Sequence, residues 1–220
     1  MTRTRFHQGL EELKQRLLVM GGLAEQAVDR AVQAYVTRDL RMCHKVLEDE
    51  KTINASEREI DEIAVDLLAM QQPMAVDLRF LFAVIKINAD LERVGDQAVN
   101  IAERVIDMSK FAAAELPVDI ARMASIASGM VHQSLEAFIE EDADLAQQVL
   151  ERDDMVDAIN REAFESLTQV MQSNSSSTRQ ALDALIVARN LERVADHATN
   201  IAEDVIFWVR GADVRHHGVS

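Results

Sequence analysis

Two stretches one hundred positions apart carry the same acids: residues 90–106 read DLERVGDQAVNIAERVI and residues 190–206 read NLERVADHATNIAEDVI. Each holds an acid, a second acid and an amide at four-residue steps: Glu92, Asp96 and Asn100, then Glu192, Asp196 and Asn200. Four residues advance about 400° on an α-helix, so each trio forms a stripe on one face. Like charges at i and i+4 repel and slightly weaken a bare helix. A chain that places them so twice is set up to hold cations, and the repeat points to two domains.

The elements that position these acids are helices. Aromatic residues make up 4% of the chain and only two prolines occur, which marks an all-α composition. Phe6, Leu10, Leu13, Leu17, Met20, Ala24, Ala27 and Ala31 recur at steps of four and three, the seam of a first helix. Gly21–Gly22 predicts a kink within it. Thr37–Asp39 offers a cap for a second helix, with the seam Val46, Ile53, Ile60 and Leu67 and an end at Gln71–Gln72–Pro73. The third helix runs on Val84, Ile87, Leu91, Val94, Ala98, Ile101 and Val105. Residues 111–119 read as a linker, and Pro117 as the first turn of a fourth helix bearing Met123, Ala127, Met130 and Phe138. A fifth helix is expected from Ala143 to Met171, a turn at SNSSST, and a sixth helix repeating the third up to Trp208, with a frayed tail after Gly211. Short connections make neighbours antiparallel. The expectation is therefore an all-α protein of two tandem three-helix bundles, divided into residues 1–113 and 114–220.

On this pattern the acids lie beside the seam, since Glu92 follows core Leu91 and Glu192 follows Leu191, about 100° round the helix. Acids at the same spacing occur on the preceding helices: Glu50 and Asn54 flank Ile53, and Asp153 and Asp157 flank Val156. Glu50 with Asp96 and Asn54 with Glu92 are equidistant from Pro73; Asp153 with Asp196 and Asp157 with Glu192 are equidistant from the Asn174–Ser175 turn. Residues equidistant from the turn of an antiparallel pair stand at one height. Each half should thus gather four oxygen-bearing side chains, with Asn100 or Asn200 nearby. Such donors suit Mg²⁺, Mn²⁺, Ca²⁺ or Fe, and Zn²⁺ less well. The competing reading is a set of solvated flank acids, or acids paired with Arg93 and Arg193. Asn54 in place of Asp157 predicts weaker binding in the first half. His197 reads as a surface residue, and the small Gly95 and Ala195 as places where another chain segment can come close.

Net charge is −15, which disfavours a nucleic-acid partner. Cys43 is the single cysteine, so thiolate metal sites and internal disulfides are ruled out, and it reads as a small core residue. The N-terminus carries no apolar signal core and no stretch is long enough to span a membrane, so the cytoplasm is expected. No Gly-rich phosphate loop or nucleophile elbow occurs.

The doubled ERVxDxAxNIAExV motif, QQPMAVDLR at 71–79 and DDMVD at 153–157 resemble the PhoU family, over essentially the whole chain. The resemblance implies a tandem three-helix-bundle regulator, not a catalyst, with surface metal clusters of iron, zinc or other ions. It implies repression of the phosphate-starvation response and of phosphate uptake, acting with the ATPase subunit of a phosphate ABC transporter and with a phosphate-responsive sensor histidine kinase, and a homodimeric state. By motif, the metal positions are Glu92, Asp96, Asn100, Glu192, Asp196 and Asn200, joined by Glu50, Asp153 and Asp157; Asn54 stands where the family has an acid. The alternative class is a di-iron or di-manganese carboxylate enzyme or iron store. Such bundles use inward Glu-x-x-His pairs, and none occurs in this chain.

Overall fold

The computed structural model describes residues 2–70, 73–111, 114–212 and 214. Six long helices account for nearly all of them: α1 Thr2–Thr37, α2 Leu40–Met70, α3 Ala75–Met108, α4 Ile120–Glu140, α5 Ala143–Ser173 and α6 Thr178–Arg210. A one-turn 3-10 helix, Ser175–Ser177, stands before α6. Helices α1–α3 form one up-down-up bundle and α4–α6 a second. The α2–α3 turn and the expected boundary between 113 and 114 fall at residues 71–72 and 112–113, outside the described residues, as does most of the tail after Gly211. Among the described residues no helix is long and apolar enough to cross a membrane.

The helix ends follow local capping chemistry. Arg38 turns the chain at φ 58°, and the Asp39 carboxylate accepts from the Arg41 N–H at 3.0 Å to start α2. Asp142 accepts from Asp144 and Leu145 N–H groups to start α5, directly after the left-handed Glu141 ends α4. Asn174 caps the turn before α6. Gly211, at φ 68°, closes α6 in the conformation only glycine adopts freely. Pro117 does not begin α4, as its N1 preference had suggested. Asp119 caps that helix by accepting from Arg122 N–H at 2.9 Å, which leaves Pro117 outside it.

The seams are the core: Leu13, Leu17, Met20, Val46, Ile53, Ile60, Val84, Ile87, Leu91 and their second-half counterparts are buried, and so is Cys43. One apolar cluster runs through both bundles. Helices α3 and α6 pack antiparallel across the middle, with Arg79 donating to Trp208 O, Lys86 bonded to Asp204, and His197 to Asp90. Phe80, Phe138 and Trp208 join the halves through ring contacts with centroids 5.0–5.9 Å apart. Gly21 does not kink α1. A Cβ there would stand 2.5 Å from Leu135 Cδ1, so the bare backbone lets α1 lie close to α4.

Candidate metal centre

The acid stripes occupy the two grooves where the second and third helix of each bundle meet. In the first groove Gly95 sets the approach: a Cβ on it would stand 3.0 Å from Ile53 Cδ1, so the glycine lets α2 close on α3. Ile53 is the core residue beside Glu50 and Asn54. Ala195 does the same service in the second half and is fully buried. The close approach expected at both small residues is made by the neighbouring helix of the same chain in the case of Gly95.

Electrostatics show which acids share each groove. Burial raises the Glu92 carboxyl above its ordinary range, and the charges of Asp96, Glu57 and Glu50 add to this, against Arg93. In the second half burial, then Asp157, Asp196, Asp154 and Glu192, push Asp153 up to about 6. Burial likewise raises Glu192, followed by Asp196 and Asp157, and raises Asp196, followed by Asp157. The acids predicted to stand at one height therefore do bear on each other across both helix pairs. They lie half-buried at the groove rather than in the core; Asp196 is exposed.

Glu57 was not anticipated. It lies one turn beyond Asn54, where the second half has Asn160, and it supplies the charge that Asn54 lacks. Each groove then counts four carboxylates: Glu50, Glu57, Glu92 and Asp96 against Asp153, Asp157, Glu192 and Asp196. The expected charge deficit of the first half is thereby removed.

The arginine reading accounts for one acid. Arg161 stands 3.6 Å from Asp157, with both side chains substantially exposed. Among the described residues no other cation lies within ion-pair distance of these eight carboxylates; Arg93, Arg189 and Arg193 act on them only from further away.

The two distal amides leave the clusters. Asn200 donates to Asp90 on α3 at 3.2 Å and lines a cleft between the halves. Asn100 is exposed one turn beyond Asp96. His197 is not a free surface residue: its side chain is 13% exposed and its Nδ1 lies 2.8 Å from Asp90 Oδ1. A partner on the other half of the chain holds both Asn200 and His197.

Two observations bear on whether these residues suit a cation. Asn54 Oδ1 is buried with no hydrogen-bond partner among the described residues, an oxygen whose lone pairs are unmet. The donor set is all oxygen, as a hard cation prefers. Against this, no group of three or more His, Cys, Asp or Glu among the described residues is already gathered to hold a metal ion. The carboxylates share a neighbourhood but stand apart, as mutually repelling charges do.

The profile of the PhoU domain matches residues 17–105 and 120–205, one match per bundle. The chain is 40% identical over 217 residues to the phosphate-specific transport system accessory protein PhoU homolog of Pseudomonas putida, covering 97% of this chain and 84% of that protein. The crystal structure of PhoU from Pseudomonas aeruginosa superposes with a TM-score of 0.89 at 39% identity, over 94% of this chain and all of that one. The phosphate transport system regulatory protein PhoU from Streptococcus pneumoniae gives 0.87 at 27% identity, over 95% and 99%.

Proposed function

The chain belongs to the PhoU family, and from that membership we propose that it is a regulator of phosphate homeostasis that acts by binding, not by catalysis. It restrains phosphate-starvation signalling and phosphate uptake from the cytoplasmic side, through the ATPase subunit of a phosphate transporter and a sensor histidine kinase. The observation that carries this reading is the match to accessory proteins of phosphate-specific transport across nearly the whole chain, with both repeats preserved. A relative that shared one bundle would carry much less.

The reading includes a divalent or trivalent cation in each groove. Glu50, Asn54, Glu57, Glu92 and Asp96 would hold it in the first half, and Asp153, Asp157, Glu192 and Asp196 in the second. Bound there, the ion supplies positive charge that offsets carboxylate repulsion. The chain's own part is to keep those carboxylates desolvated and unpaired, and to let their side chains draw together. The uncompensated rise of Asp153 to about 6 and the unmet Asn54 Oδ1 support this.

The test is a deletion strain complemented with this chain and grown in ample phosphate. A starvation-promoter reporter should be silent with the chain and on without it; a reporter equally active in both rejects the regulatory role. Elemental analysis of protein purified without chelator or affinity tag tests the cation separately.

A further inference from the structure

The repeat relates the two ends of the α3–α6 pair, yet the ends differ in chemistry. At one end Arg179 pairs with Asp183 at 3.2 Å and with Asp107 at 3.7 Å, and Arg104 pairs with Asp107 at 3.2 Å. At the other end, one hundred positions away, Ala83 replaces Asp183 and Phe207 replaces Asp107. There the surface is apolar: Met74, Val76, Leu78 and Phe82 are 47–70% exposed within nine residues. Phe207 meets Phe82 edge-on, with centroids 6.4 Å apart. An exposed apolar cluster of this kind marks a contact surface more often than an accident.

Leu78 and Phe82 are four residues apart on one face of α3, and the same face continues to Lys86 and Arg93. Lys86 Nζ stands 5.8 Å above the Phe82 ring. Beyond it the α3–α6 groove widens into a cleft of about 310 Å³ lined by Lys86, Asp90, Arg93, Asn200, Glu203 and Asp204. Three carboxylates there face two cations, and the acid stripes of Glu92 and Asp96 and of Glu192 and Asp196 lie along the same two helices. A segment entering the groove therefore meets negative potential, in a chain of net charge −15. From Leu78 to Arg93 the groove runs roughly 22 Å, four turns of helix. Its walls are held before any partner arrives, by Arg79 on Trp208 O, Lys86 on Asp204 and His197 on Asp90.

We propose that this groove is a docking surface for an amphipathic helix of a protein partner, apolar over Phe82 and Phe207 and basic over Asp90, Glu203 and Asp204. The inference extends the accessory role by naming the partner's chemistry, and it does not depend on the cation. Apolar anchors set in a groove between two helices are a recurring mode of helix recognition.

The probe is a synthetic peptide of about 18 residues with a Leu face and a Lys face, long enough to fill the groove. Its partner control has Glu for Lys. The Leu/Lys peptide should bind the full chain at one per protein, and the Leu/Glu peptide should not. Phe82→Asp should weaken binding by about ten-fold or more, as loss of an interface anchor does. That substitution adds negative charge, so a merely electrostatic association would tighten instead. Leu182→Asp, at the ion-paired end, should change nothing and controls for folding. Equal binding to wild type and Phe82→Asp, or equal loss in Leu182→Asp, overturns the proposal. So does a concentration-dependent dimer abolished by Phe82→Asp, or Phe82-dependent binding to phosphatidylcholine vesicles. A chain that silences the starvation reporter yet ignores the peptide loses the docking surface and keeps the regulatory role.

Discussion

Asp153 is the side chain on which the cation chemistry can be read most directly. Its carboxyl sits at about 6, raised by burial and then by Asp157, Asp196, Asp154 and Glu192. A raised acid favours the folded state while protonated, so this contribution is full below the ordinary carboxylate pKa and is lost as pH rises through about 6. Chelated protein should therefore melt higher near pH 5 than above pH 7, and Asp153→Asn should remove part of that slope. The variant should gain about 1 kcal/mol at neutral pH once solvent screening of this half-exposed group is allowed for. It should also lose the rise in melting temperature that Mn²⁺ or Mg²⁺ gives the wild type. A variant that melts like wild type at both pH values, with an unchanged metal response, would reject the assignment. Glu57 makes a second case. The spacing argument stopped at Asn54 because it followed steps of four, whereas positions 50, 54 and 57 step by four and then three, as helix faces do. Continuing the stripe by one turn would have found it. Glu57→Gln should weaken metal binding in the first half by about ten-fold, near 1.4 kcal/mol, in calorimetric titration. The second half, with Asn160 at that position, should be unaffected.

Helices place these residues, and the placement depends on how near α2 lies to α3. Gly95 faces Ile53 Cδ1, the free end of a flexible side chain. Alanine can be accommodated there by a small shift and removes the glycine helix penalty, so Gly95→Ala should be neutral or stabilising, by up to about 1 kcal/mol. Valine cannot be accommodated so easily. Gly95→Val should destabilise by about 1–3 kcal/mol and spread the carboxylates, lowering first-half metal affinity in the same measurement. Denaturant midpoints and metal titrations of both variants decide this; a valine variant with native affinity would show that helix spacing is irrelevant to the groove. The apolar seams were legible in the sequence because burial follows the helical period, and Leu13, Ile53, Leu91 and Leu191 are all fully buried as their spacing implied. What was illegible came from contacts between distant parts. Gly21 reads as a flexible joint until Leu135 of α4 is seen above it. His197 and Asn200 read as one more turn of a surface stripe until Asp90 of the other half claims them. Pro117 was misjudged for a local reason: an aspartate two residues on satisfies a helix N–H, and that decides where α4 begins.

Across the whole molecule the two repeats are not two independent folding units. A single apolar cluster includes Leu17, Ile53 and Val94 from the first half and Met130, Val156 and Val194 from the second. Phe80, Phe138 and Trp208 stack across the junction, and Trp208 is 6% exposed. Separation would expose the α6-facing side of α3 and the α3-facing side of α6 to water, at about 25 cal/mol for each Å² of apolar surface. A bundle of this size has only some 5–15 kcal/mol of stability to lose. The full chain should therefore unfold in one calorimetric transition, with van't Hoff and calorimetric enthalpies in agreement. Fragments 1–113 and 114–220 made separately should aggregate or remain loosely packed, and should regain native near-ultraviolet dichroism when refolded together. Trp208→Ala should lower the stability of both halves at once, by about 3–5 kcal/mol, because the indole is packed between residues of each. Two resolved transitions, with only the second moved by that substitution, would mean that the halves are coupled weakly and that cation binding in one groove is felt only locally. A single transition means instead that a cation in either groove stabilises the rigid α3–α6 pair that both grooves share. That shared pair is also the floor on which the proposed partner helix would rest, so metal loading and peptide affinity should rise together in the intact chain and fall together when Trp208 is removed.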